Sequence, residues 1–373
     1  MSKTKVMAMY LPQYHRIAEN DEFWGEGFTD WVSVKNAKPL YEGHREPRVP
    51  LNGNYYDLSR KDDVKWQVEL AKKYGIDGFG IYHYWFNNDK NLLTKPAELF
   101  LENKDFCMDF FFAWDNANWK RSWSNVQGND WAPAMENEKR KKGEPLILIP
   151  YIIGEEKDWQ NHYNWLRPYF LDNRYVKVEN KPLFIIFNYD ATIARMCKYW
   201  NELAKEDGFD GMHFIFRYGE KYNIPESEFK FKYEPLYSGW SRPLTLMQRV
   251  VGKIKRELKI AGGPKKYSYD EVWESILNNA RKMGEKEMYH GAFVTYDDTP
   301  RRGKRGSVVL NSSSEKFRHY LSELIKISEE QEKDFVFLTA WNEWGEGAYL
   351  EPDDTDAFSY LEAYKMAKSA YDK

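Results

Sequence analysis

Phe335-Val336-Phe337-Leu338-Thr339-Ala340-Trp341-Asn342-Glu343-Trp344-Gly345-Glu346-Gly347 joins an apolar run to a cluster of acids and indoles. The first six residues read as a strand buried on both faces, as in a parallel sheet. Strand alternation would send positions 343 and 346 to opposite faces. A turn after the strand would instead bring them to the ~5–6 Å spacing of i,i+3 neighbours. Two carboxyls at about that distance, walled by indole rings on which a sugar can lie, suit glycosidic-bond chemistry. The flanking glycines let a ligand approach the backbone. The competing reading is a buried strand end with two capping acids.

Working outward, seven more apolar runs carry strand signals: Val6–Leu11, Ile76–Tyr84, Met108–Trp114, Pro182–Asn188, Met212–Arg217, Phe231–Tyr237 and Gly291–Tyr296. With Phe335–Trp341 they make eight, the number that closes a (β/α)8 barrel. The spacing therefore predicts an α/β fold, one TIM barrel over residues 1–373 with long loop insertions at about 118–180 and 240–288. A ninth apolar run, Leu146–Ile153, is assigned to the first insertion. Helical patterns separate the strands. Asp62–Tyr74 carries Val64, Val68 and Ala71 on one face and stops at Gly75. Ser312-Ser313-Ser314-Glu315 reads as a capping box before Phe317, Leu321, Leu324 and Ile325. A third helix, from about Trp159 to Phe170, turns its aromatic residues to the core.

In such a barrel, chemistry sits where the strands end. The ends deliver Tyr10 and Gln13, then His83 and Trp85, then Trp114, Asp115 and Asn116. Later ends add Asn188, Arg217, Tyr237, Asp297, Arg301, Trp341, Asn342 and Trp344. A rim so rich in rings and hydrogen-bonding groups suits a sugar better than an apolar ligand. Aromatic residues make up 17% of a chain that is 30% charged. Several tryptophans, among them Trp114, Trp119 and Trp123, fall in polar turns where packing alone explains them poorly. The expected partner is an oligo- or polysaccharide.

Other classes are disfavoured. A net charge of −3 leaves no nucleic-acid footprint. The basic run Lys139–Lys142 reads as a solvated loop. Cys107 and Cys197 read as reduced core residues. The N-terminal apolar run is too short for a signal peptide, and no stretch approaches a membrane span, so a cytoplasmic location is expected. Neither an HExxH pattern nor a GxSxG elbow nor a Gly-rich phosphate cradle occurs. No metal or cofactor is expected.

Tyr10-Leu11-Pro12-Gln13-Tyr14-His15, Phe23 to Trp31, Asp77-Gly78-Phe79, Lys181-Pro182-Leu183-Phe184, Asp297 to Arg302 and Trp341 to Gly347 together resemble a known family. It is that of the WbsX-type proteins of bacterial surface-polysaccharide loci. More distantly the chain resembles glycoside hydrolase family 99, the endo-α-mannosidases. The latter resemblance implies a (β/α)8 barrel and metal-independent, retaining cleavage of α-mannosides within a chain. It also implies Glu343 as base and Glu346 as acid. The base would deprotonate the sugar's own 2-hydroxyl, giving a 1,2-anhydro sugar that water opens. The tryptophan–glutamate motif departs from the hydrolases at Gly345, where they carry histidine, and this touches the mannose preference. The residues alone leave open which glutamate is which, because two neighbouring carboxyls do not readily both ionise and one keeps a proton.

WbsX-type proteins are also labelled glycosyltransferases, so a nucleotide-sugar transferase is the main rival, with Asp354-Thr355-Asp356 as its candidate metal motif. A non-catalytic glycan-binding barrel is the second. Two expectations concern geometry. Arg301 should face the pocket and hold a polar or anionic substituent of the ligand. Trp24-Gly25-Glu26-Gly27 echoes Trp344-Gly345-Glu346-Gly347 after the first strand. The two loops should meet at the rim, with Trp24 or Trp31 as a second stacking face.

Overall fold

The computed structural model describes residues 4–120, 147–240 and 263–370. Eight parallel strands form the centre: β1 (Lys5–Tyr10), β2 (Gly78–Asn87), β3 (Asp109–Trp114), β4 (Lys181–Ile186), β5 (His213–Arg217), β6 (Phe229–Phe231), β7 (Met288–Phe293) and β8 (Phe335–Thr339). Each pairs with the next in sequence, and β8 returns to β1, so the sheet closes into a TIM barrel. Met7 lies at the seam, beside Gly78 on one flank and Phe337 on the other.

Large rings and missing side chains fill the barrel together. Phe337 meets Phe111 at 5.8 Å and Phe231 at 5.2 Å between ring centres. Gly80 makes room for them: a Cβ there would sit 2.5 Å from the Phe111 ring and 2.9 Å from the Met9 sulfur. This alternation of bulk and void is how a barrel interior becomes a packed core rather than a pore.

Helices cover the outside, each with the face its sequence predicts turned inward. Lys61–Tyr74 buries Val64, Val68 and Ala71 and ends at Gly75 in the left-handed region, φ 83°. Ser314–Glu330 is capped by Ser313, whose hydroxyl accepts from the backbone N–H of Lys316. It buries Phe317, Leu321, Leu324 and Ile325 completely. Each such side chain contributes on the order of 1.5–3 kcal/mol when taken fully out of water. Glu156–Phe170 buries Trp159, Tyr163, Leu166 and Phe170.

Two expectations shift and one holds. The sixth strand was expected over Phe231–Tyr237 but covers only Phe229–Phe231, and residues 236–240 form a short helix. Pro235 lacks the N–H that a central strand must donate. The ninth apolar run stays outside the barrel, where Ile147–Ile149 pairs antiparallel with Trp119–Lys120. Cys197 is buried, but Cys107 is exposed rather than in the core; both are free thiols. Trp123, Lys139–Lys142 and Leu146 lie outside the described residues. Among those described, no helix is long and apolar enough to cross a membrane.

Candidate active site

After β8 the chain makes a small hairpin. Asn342–Glu343 pairs antiparallel with Ala348–Tyr349, and a single 3-10 turn, Trp344–Glu346, joins them. That turn cancels the strand alternation. The hairpin is fastened to β1 by the Asn342 amide, which accepts from Leu11 N–H at 2.7 Å and donates to Leu11 C=O at 3.0 Å. Tyr14 grips it as well: its hydroxyl donates to the Asn342 carbonyl (2.8 Å) and accepts from Trp344 N–H (3.0 Å). On the other side, Asp297 N–H donates to the Glu346 carbonyl at 2.6 Å.

Arg301 brings the two glutamates together. It sits on the one-turn helix Thr299–Arg302, capped through the Asp297 carboxylate. Its Nη2 donates to Glu343 at 3.1 Å and its Nη1 to Glu346 at 3.0 Å. Nε and Nη2 both reach Asp30, at 3.2 and 2.7 Å. One buried guanidinium thus holds three carboxylates. Gly345 lies directly beneath. A Cβ there would be 2.4 Å from an Asp30 oxygen and 2.5 Å from Arg301 Nε. The ion pair fills the space a larger side chain would need, which is the physical reason for glycine at this position.

Burial pushes the Glu343 carboxyl up to about 8; Glu346 and Asp30 push the same way, and Arg301 opposes them. Around it stand three phenols, Tyr82, Tyr84 and Tyr233, whose pKa values are raised by burial, with the Glu343 charge adding to the rise. Tyr82 and Tyr233 share a hydrogen bond of 2.6 Å, and Gln13 donates to Tyr84 at 3.3 Å. Further round, loss of water raises Asp115 to about 6 against the pull of Arg217. A cavity opens beside Arg301 and Asp30, lined also by Gln13, Trp24, Phe28 and Trp119.

Of the residues proposed from sequence, Gln13, Trp24, Arg301, Glu343 and Glu346 therefore share one region of the rim. Arg301 reaches it, but its guanidinium is engaged by protein carboxylates rather than presented to a ligand anion. The helix Asp30–Asn36, which follows the first echoing loop, meets the Trp344 turn through a Trp31–Trp344 contact of 5.6 Å. Trp31 is buried, its Nε1 donating to the Tyr56 carbonyl, so only Trp24 lines the cavity.

The others turn elsewhere. Tyr10 donates to Gln67 on the helix behind β1. His83 and Trp85 face the helical layer: His83 Nε2 meets His162 Nε2 at 2.7 Å, and Trp85 stacks on His162 at 4.3 Å. Trp114 is buried there too, donating to the Trp85 carbonyl. The Asn116 amide ties the ends of β3 and β4 together through the Asn188 backbone. Tyr237 lies on the short helix after β6, packed edge-on against Tyr218. Trp341 packs on Phe79 in the core. Trp344 stacks on Tyr349 at 3.7 Å and donates to Glu351, so it props the hairpin instead of carrying a sugar. Asp30, Tyr14, Tyr82, Tyr84 and Tyr233 were missed. For β2 the signal was available, since alternation puts Tyr82 and Tyr84 on the face opposite His83 and Trp85.

One cluster has the spacing of a cation site: His44, Glu46 and Asp297. Its hydrogen bonds argue against a metal there. Leu40 N–H donates to His44 Nδ1 at 3.0 Å, which puts the ring proton on Nε2, and that N–H donates to Asp297 at 2.7 Å. Arg48 donates to Glu46 at 3.2 Å. Asp354 and Asp356 likewise have protein partners, the Asn52 N–H and Arg45.

Two stability consequences follow from these contacts. Glu351 accepts from Trp344 Nε1, Gln67 Nε2 and Tyr56 OH, and burial raises it to about 7. Glu351→Gln turns an amide donor toward buried donors, and urea unfolding should show a loss of about 1–3 kcal/mol. Burial lowers His83 to about 3 and His162 well below its ordinary value, so both rings are held neutral. Such depressed groups stabilise the fold above the unfolded value near 6.5 and lose that contribution as pH falls. Between pH 6 and 4, His162→Asn should lose stability less steeply than the parent, by about 1 kcal/mol per pH unit.

A closed parallel barrel with paired carboxyls on its C-terminal rim is the build of a carbohydrate-active enzyme. The chain belongs to the family described as Glycosyltransferase WbsX, whose model matches residues 6–364. The protein WxcX of two Xanthomonas campestris pv. campestris strains is 28% identical over 97% of this chain. The chain spans about half the length of these curated relatives, 49% of each. Among solved structures, a glycoside hydrolase-like protein aligns over 98% of this chain and 93% of its own, with a TM-score of 0.57 and 13% identity. A family 99 endo-α-mannosidase from Bacteroides thetaiotaomicron aligns over 98% and 97%, also with a TM-score of 0.57 and 13% identity. At that identity the likeness concerns the fold.

Proposed function

We propose that this chain cleaves or transfers an α-glycosidic bond with retention, acting on glycans of bacterial surface polysaccharide. The observation that carries the proposal is the pair Glu343 and Glu346, held on the two terminal nitrogens of Arg301 at the barrel rim. In this reading Glu343 is the base. Burial makes it a stronger base than an exposed carboxylate, which suits removal of a proton from a sugar hydroxyl. The freed 2-oxygen attacks the anomeric carbon while Glu346 delivers a proton to the departing oxygen. Water then opens the 1,2-anhydro ring: Glu346 takes a proton from the water as its oxygen bonds to the anomeric carbon, and Glu343 returns its proton to the 2-oxygen, which restores both side chains. Glu346 is the more open of the two, with 19% of its side chain exposed against 6% for Glu343, as a proton donor to a leaving group requires.

The family description favours nucleotide-sugar transfer as a second reading. A diphosphate needs unengaged cations or a bound metal. At the rim, Arg301 is already neutralised by three carboxylates. The test sets the purified protein against α-linked oligosaccharides and, separately, against sugar nucleotides with and without magnesium. Cleavage or exchange without any nucleotide, with the anomeric configuration kept by NMR, is expected. Glycan extension that consumes a sugar nucleotide, with no reaction in its absence, would overturn the proposal.

A further inference from the structure

Asp30 opens the short helix Asp30–Asn36 that follows β1, far in sequence from the glutamates, yet it makes the closest contact of the Arg301 cluster, 2.7 Å. Its two oxygens take Nε and Nη2, the edge of the guanidinium facing away from Glu346. The Tyr14 hydroxyl lies 3.4 Å from the same carboxylate, and Gly345 leaves the space in which the pair lies. Asp30 also lines the cavity but forms no part of the glutamate pair.

The charge count gives this arrangement a purpose. One guanidinium facing only Glu343 and Glu346 would draw both toward ionisation and leave neither a strong base. A third carboxylate, tightly bound, takes up that positive charge. Fully ionised, the cluster would carry −2, and a proton on its most buried acid relieves it. Among the described residues, the other ionisable groups facing Glu343 supply no compensating cation: Tyr14 from the β1 loop, Tyr82 and Tyr84 from β2, and Tyr233 beyond β6.

We infer that Asp30 is a positioning residue, holding Arg301 between the glutamates and diverting its charge so that Glu343 stays basic. This rests on the reading of Glu343 as the base. The consequence is a working pH set at a distance. As pH rises through the Glu343 midpoint the carboxylate takes its active form, and Asp30 adds to the burial that lifts that midpoint.

The test needs no substrate. Glutamate labelled with 13C at the side-chain carboxyl, with Glu343→Gln to assign the signal, reports the Glu343 midpoint, about 8 in the unsubstituted chain. Asp30→Asn keeps an acceptor for Arg301 and removes the charge. It should lower the midpoint by about one pH unit or more. Asp30→Ser, smaller and neutral, is read the same way should the amide variant not fold. An unchanged or raised midpoint in a folded variant overturns the inference, because a purely structural Asp30 would alter stability and leave the titration alone. On a cleaved glycan, the acidic limb of kcat should move with the midpoint while KM stays put. A shifted midpoint in a chain that cleaves no glycan would support the coupling and count against the glycosidic reading instead.

Discussion

Glu343→Gln and Glu346→Gln should each reduce turnover on a cleaved glycan by about 10²-fold or more, the scale of a lost acid or base. The amide keeps the shape and one acceptor oxygen, so the hairpin and Arg301 should stay in place and glycan binding should change little. The two variants should differ in a second way. A better leaving group, such as an activated aryl glycoside, needs less protonation and should restore part of the Glu346→Gln rate. It should not rescue Glu343→Gln, whose missing step is proton removal. Steady-state rates on matched substrates check both statements. Normal turnover in both variants would remove the glutamates from the chemistry, and rescue in the opposite order would exchange their roles.

Arg301→Ala should be the most damaging substitution for the fold. It leaves Asp30, Glu343 and Glu346 facing one another with their shared cation gone. Breaking a buried ion pair on one side costs about 3–5 kcal/mol, since the remaining charges stay buried. Glu343 already has a raised folded pKa, so the stability it contributes is present below its unfolded value and is lost as pH rises toward about 8. Without Arg301 its pKa climbs further and that loss deepens. The deficit against the parent should therefore be small near pH 5 and largest near pH 8, as urea unfolding at the two values would show. Arg301→Lys keeps a charge but cannot bridge three carboxylates in one plane, and should fall between parent and Ala.

The barrel was legible because strand and helix periods are local. Eight apolar runs with turn signals between them lead to a closed sheet, although the sixth strand, cut short before Pro235, was drawn too long and the seventh three residues late. The site was less so, for a reason visible in β2. Listing strand ends without their alternation selected His83 and Trp85, which face the helices, and passed over Tyr82 and Tyr84. The tryptophans beside the glutamates misled differently. Trp341 and Trp344 look like sugar platforms in sequence, yet a turn that must hold two acids in place needs rigid props, and they supply them. Asp30 carried no local signal. Its partner stands 271 residues away, and no spacing rule reaches across that distance.

The Asn342 clamp on Leu11 joins positions 331 residues apart. During synthesis, the segment bearing both glutamates emerges after every other barrel strand, and it finds its seat only when β8 docks against a β1 made long before. Contacts of such long sequence separation form late, because the loop they close is costly in chain entropy. The unfinished chain therefore holds no assembled acid pair. The paired carboxyls come together with the closing of the seam, as a late act of folding rather than a property carried throughout it.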